Sequence, residues 1–132
     1  MPNPTNPSAP EFFVYRLEAM DIPFYVGIGR SARASDRVRF VNRLLEREAN
    51  GHFVRWSLST SVIAAFIKLG TRVRVRYTRK RLTRGAALLA ERRSIAALLA
   101  RGYALANQQL NPSKGQSAAS IVSSVQQRAA GA

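Results

Sequence analysis

Residues 12–33, FFVYRLEAMDIPFYVGIGRSAR, decide how the fold is read. From Phe12 onward the pattern alternates. Phe13, Tyr15 and Leu17 fall on one face and Phe12, Val14 and Arg16 on the other, the period of a strand. Ala19-Met20-Asp21-Ile22 makes a short connection, and Pro23 takes the first position of a second strand, where a missing N–H is tolerated. In residues 23–28 Tyr25 and Gly27 share one face, with Phe24, Val26 and Ile28 on the other. A hairpin that sets Tyr15 opposite Tyr25 brings both phenols out on one side, with Cβ atoms about 5 Å apart. A slip by one residue separates them. Gly27-Ile28-Gly29 permits positive φ or close approach of backbone to a ligand, but a Gly-x-Gly after a strand more often just marks where the strand ends.

Downstream the hydrophobic spacing turns helical. Ser35 or Asp36 is placed to cap a helix reaching Ala49, with Val38, Val41, Leu44 and Leu45 at helical intervals and Asn50-Gly51 as the stop. A second helix is predicted over 58–69, with Val62, Ala65, Phe66 and Leu69 facing inward, Trp56 packed beneath it and Gly70 ending it. Residues 71–79, TRVRVRYTR, alternate as a third strand: Val73, Val75 and Tyr77 on one face, Arg72, Arg74 and Arg76 on the other. That arginine row is either a solvated strand face or a cationic track along a polyanion. A third helix is predicted over 83–100 and ended by Gly102. The pattern predicts one domain over 11–111, a disordered Pro-rich leader over 1–10, and a flexible tail over 112–132 with a weak amphipathic helix around 118–128. The fold class is α/β, a small sheet flanked by helices.

Charge narrows the partners. Twenty-one basic residues against seven acidic ones give a formal net charge of +14, and all but three of the basic residues are arginines. Arginine suits bidentate contacts to phosphate, and such a field favours nucleic acid over a membrane surface, since no helix joins a basic face to a large aromatic one. A generally basic, soluble surface is the plain alternative. Without cysteine there are no disulfides and no thiolate metal sites. The first ten residues lack the basic and apolar regions of a secretory signal, and no apolar run approaches bilayer length, so the cytoplasm is the expected compartment.

Glu91 stands out within the third helix. It shares a stripe with Leu88, Ile95 and Leu98 and is the only acidic residue after Glu48. A carboxylate turned toward an apolar face needs a cation, a metal or several hydrogen bonds. Two readings stay open: an internal salt bridge to an arginine, or a metal ligand at a site built by the hairpin. Asn107 is placed to cap or tie down a loop, and His52, in the Gly51-His52-Phe53 turn, reads as a surface residue rather than a substitute base.

Together these residues resemble the GIY-YIG nuclease superfamily. Phe13-Val14-Tyr15 is similar to its first motif, and Tyr25-Val26-Gly27, ten residues on, to its second. Arg33 lies six residues past that glycine, as the family's arginine does, and Glu91 and Asn107 follow in the family's order. The resemblance spans about residues 12–110. It implies a three-stranded antiparallel sheet flanked by helices and hydrolysis of DNA, with RNA as a further possible substrate, using one Mg²⁺ or Mn²⁺ held by Glu91. It also implies that Arg33 holds the scissile phosphate, that Tyr15 acts as general base or positions water, and that Tyr25 orients water or phosphate. Gly27, Arg37 and Asn107 are expected as supporting residues, and Arg30, Arg72, Arg74 and Arg76 as nucleic-acid contacts.

Two positions depart from the family. Arg37 stands where many members carry His or Tyr against the first tyrosine, and Ile28 where some carry Lys. Arg37 accepts no proton, but its charge is expected to depress the pKa of Tyr15. The sequence thus supports a metal-dependent DNA endonuclease, with a catalytically weak or inactive nucleic-acid-binding module as the alternative. Either a monomer or a homodimer is compatible with it.

Overall fold

The structure, a computed structural model, describes residues 11–30, 36–107 and 117–131. The expected leader over 1–10 and the expected phosphate-binding Arg33 lie outside these residues. Three strands form one antiparallel sheet, β1 (Phe12–Ala19), β2 (Ile22–Arg30) and β3 (Val73–Leu82), in the order β2-β1-β3. Helices α1 (Asp36–Ala49) and α2 (Leu58–Lys68) carry the chain from β2 to β3, and α3 (Arg84–Ala100) and α4 (Ala118–Gly131) follow. The fold is mixed α/β, a three-stranded antiparallel sheet flanked by helices. Among the described residues no helix is long and apolar enough to cross a membrane.

The period-two pattern of β1 explains why it is central: both of its faces are buried. Phe13, Tyr15, Leu17 and Ala19 pack with Val41 of α1, Val62, Ile63 and Phe66 of α2, and Ile121, Val122 and Val125 of α4. Phe12 and Val14 pack on the opposite side with Val26, Ala87, Ile95 and Leu98. Fully burying such a side chain stabilises by about 1.5–3 kcal/mol. Met20 and Asp21, both at positive φ (54° and 64°), make the two-residue turn that joins β1 to β2.

The hairpin register differs from the expected one by two residues. Tyr15 pairs with Gly27 and Tyr25 with Leu17. Because the shift is even, both tyrosines keep the same face and meet diagonally, with ring centroids 6.3 Å apart. A bulge follows, where Leu17 pairs with Tyr25 but Glu18 with Pro23, leaving Phe24 unmatched. Phe24 therefore leaves the face expected for it and packs on Phe66, 5.2 Å away, in the cluster beneath Tyr15.

The helix boundaries follow the capping chemistry. Ser57 caps α2 and forms a reciprocal capping box with Thr60, and Thr83 caps α3. Gly51, Gly70 and Gly102 all adopt positive φ just past helix ends. Val62 and Phe66 are buried as expected, but Leu69 is 57% exposed, because α2 ends before it.

The largest correction concerns the chain's end. The weak amphipathic helix expected around 118–128 is present as α4, but it is a core element with Ile121, Val122 and Val125 buried, and not part of a flexible tail. Arg128 of α4 stacks on the Tyr103 ring at 3.9 Å and donates to the Arg101 carbonyl at 2.9 Å, closing the C-terminus of α3. Residues 112–116 and 132 lie outside the described part.

Candidate functional site

The two glycines of the Gly-x-Gly turn out to be strand residues inside β2. A Cβ at Gly27 would lie 2.6 Å from Cζ and Oη of Tyr15, and one at Gly29 would lie 2.8 Å from Cζ of Phe13. Neither has positive φ, and β2 runs through both to Arg30, so the strand ends just past them and no ligand loop opens at them. What comes close to each backbone is an aromatic ring from β1. Glycine is required because the ring fills the space a side chain would need.

Tyr15 is consequently a core residue, 5% exposed, wedged over Gly27 and beside Phe13. Tyr25, one diagonal step away on the edge strand, reaches the surface. It lines a cavity of about 240 Å³ with Arg37, Ser57, Leu58, Ser59, Glu91, Ala106 and Asn107. The sequence-derived site thus divides. Tyr25, Arg37, Glu91 and Asn107 meet at one cavity, while Tyr15 sits behind Tyr25 and does not line it.

Arg37 enters from the first turn of α1. Its Cζ lies 4.5 Å from the centre of the Tyr25 ring, and its Nη1 donates to Ser59 Oγ at 3.0 Å. The charge of Arg37 thus stands directly against Tyr25. It does not produce an acidic phenol. Burial pushes the Tyr25 pKa above its ordinary value, the Arg37 charge offsets part of that rise, and Tyr15 and Glu91 add to it. Near neutrality Tyr25 is a protonated phenol, suited to donating a hydrogen bond.

Glu91 stands on α3, at the border of the stripe made by Ala87, Ile95 and Leu98. Burial raises its pKa and the neighbouring Arg92 charge partly opposes this. It is half-buried, and among the described residues it has no ion-pair or hydrogen-bond partner. No group of three or more His, Cys, Asp or Glu residues gathers among the described residues. A cation here would have one protein carboxylate and would keep most of its own waters, a mode that suits Mg²⁺ better than a caged metal.

Asn107 performs the tying role read from the sequence. Its Oδ1 accepts from the Val26 N–H at 2.9 Å and its Nδ2 donates to the Val26 carbonyl at 2.7 Å. Ala106 N–H donates to the Phe24 carbonyl at 2.7 Å. The segment before the undescribed stretch thus completes the hydrogen bonding of the β2 edge and holds the cavity wall in place.

The arginines expected to contact nucleic acid do not line the cavity, and three of the four have acidic neighbours. Arg30 pairs with Glu11 and lies over the Phe12 ring; Arg74 is 3.6 Å from Asp21 and Arg76 is 3.8 Å from the buried Glu18. Arg72 projects outward beside a groove shared with Val38, Arg39 and Arg74. His52 is exposed. Ser57 and Ser59 are the site residues that sequence reading missed. The Ser57-x-x-Thr60 capping pattern was the available signal, because it fixes where α2 begins and so which side chains its first turn presents. Compared with known proteins, the chain matches no family model, no curated protein and no solved structure.

Proposed function

We propose that the chain is a metal-dependent nuclease that hydrolyses DNA phosphodiester bonds, in line with the GIY-YIG resemblance. One observation carries the proposal. In a chain with 21 basic residues, the half-buried Glu91 carboxylate has no cation partner among the described residues and faces the Tyr25–Arg37 cavity. A carboxylate so placed is a ligand in waiting, since leaving it uncompensated costs stability.

A divalent cation bound there would supply charge stabilisation for the leaving oxygen. The chain's own residues would do the rest. Tyr25, as a neutral phenol, would orient the attacking water or a phosphate oxygen by donating a hydrogen bond. Tyr15 would fix the Tyr25 ring from behind, a supporting part in place of the base expected from the sequence. Leu58 and Ala106 would limit water around the reacting groups.

The experiment is nicking of supercoiled plasmid in Mg²⁺ and in EDTA by wild type and Glu91→Ala. The proposal expects Mg²⁺-dependent nicking that Glu91→Ala loses by about 100-fold or more, the scale of removing one group that stabilises transition-state charge. Nicking by Glu91→Ala at the wild-type rate would sink it. The second reading, a nucleic-acid-binding module without chemistry, draws on the formal net charge of +14 and on the raised pKa of Tyr25, which makes it a poor base. It expects salt-sensitive binding and no nicking.

A further inference from the structure

Arg37 is the residue that fits the family pattern least, and its surroundings are the least expected. Its guanidinium is half-buried, yet among the described residues it makes no ion pair with a carboxylate. Two neutral groups hold it: Ser59 Oγ, which accepts from Nη1 at 3.0 Å, and the Tyr25 ring face at 4.5 Å. Ser59 is itself 8% exposed and lies 3.4 Å, Oγ to Oγ, from Ser57, so the anchor is fixed. A guanidinium has five N–H donors, and these contacts occupy one of them while setting the plane of the rest. The same cavity carries Glu91 on another wall.

We infer that Arg37, locked by Ser59 and Tyr25, is a phosphate-anchoring cation of this cavity, binding a phosphodiester oxygen while Glu91 serves a cation on the same group. The inference rests on the proposed nuclease reading for the identity of the ligand, but the anchoring itself requires no chemistry to occur. The departure from the family at position 37 is then an exchange of roles. A residue that elsewhere helps a tyrosine becomes one that holds substrate. The arrangement favours arginine over lysine, because a planar fork makes both contacts at once and still aims further N–H donors in fixed directions.

The test titrates inorganic phosphate into the ¹⁵N-labelled protein in EDTA, at constant ionic strength set with chloride, and follows the arginine Nε–Hε signals. Arg37→Lys assigns the Arg37 signal, and a melting curve of that variant checks that the fold is kept. Arg37 is expected to shift saturably, while exposed Arg72 does not. A flat Arg37 signal, or one that follows Arg72, overturns the inference. In parallel, Arg37→Lys is expected to raise KM for a short DNA duplex by about tenfold, the loss of one charge-assisted hydrogen bond, with a smaller change in kcat. Phosphate saturation at Arg37 without any nicking would uphold the anchor and reject the nuclease. Nicking that depends on Glu91, with neither a phosphate response nor a KM change at Arg37, would do the reverse.

Discussion

The ring of Tyr15 lies across Gly27, so close that a Cβ built on that glycine falls 2.6 Å from the ring's Cζ and Oη. The contact sets the hairpin register as much as the turn does, because only glycine can stand opposite a tyrosine lying flat on the strand. Gly27→Ala is expected to destabilise by about 1–3 kcal/mol through overpacking. In a Tyr15→Ala background the same substitution should cost little, since the obstructing ring is gone. A double-mutant cycle from urea melts measures the coupling. Equal costs in both backgrounds would mean that the ring does not fix the register.

The pairing of Asn107 with Val26 predicts a different kind of loss. Asn107→Ala leaves a buried N–H and a buried carbonyl without partners, each costing about 1–3 kcal/mol. Asn107→Asp keeps an acceptor for the N–H but sets a carboxylate oxygen against the carbonyl, so it should not rescue. Hydrogen exchange at the Val26 amide reports the effect directly. Unchanged protection of that amide in Asn107→Ala would show that the edge is held by other means.

Helix α4 makes the third forecast. Ile121 is fully buried, so Ile121→Ala is expected to cost about 2–5 kcal/mol, the range for emptying a core site. Loss within a few tenths of a kcal/mol, the scale of an exposed helix position, would return residues 118–131 to the status of a tail. Arg128→Ala is a milder check. It removes the contacts to Tyr103 and the Arg101 carbonyl while leaving the apolar face intact.

Local rules explain what the sequence made legible. Alternation in residues 12–18 and 73–77 specified strands, and the faces followed wherever the pairing was regular. Gly51, Gly70 and Gly102 marked the helix ends because stopping a helix is a property of a few adjacent residues. What stayed hidden depended on partners distant in sequence. The bulge that moves Phe24 and the two-residue register shift come from packing against Phe66 and from the Tyr15–Gly27 contact. The helix around 118–128 was legible, but its place in the core was not, because Ser, Ala and Gln dilute a stripe of only Ile121, Val122 and Val125. At the site, Tyr25, Glu91 and Asn107 could be named from order and spacing. The contacts of Arg37 could not, since Ser59 is 22 residues away and meets it only once α1 and α2 are packed.

Glu91 offers the sharpest separation between a structural and a functional carboxylate. Burial raises its folded-state pKa above the unfolded value. Between those two values the folded chain holds more protons than the unfolded chain, so Glu91 makes stability fall as pH rises through that interval. Below the unfolded pKa the penalty is absent; above the folded pKa it is fully present. Glu91→Gln removes the charge at similar volume. It is therefore expected to raise the melting temperature at pH 7, with the gain shrinking toward zero below the unfolded pKa. A carboxylate holding a buried arginine would behave in the opposite way at pH 7, its removal costing about 3–5 kcal/mol. Mg²⁺ supplies the second arm. If Glu91 binds it, a concentration ten times Kd stabilises wild type by about 1.4 kcal/mol and leaves Glu91→Gln unchanged. Equal Mg²⁺ responses in the two proteins would place the ion elsewhere.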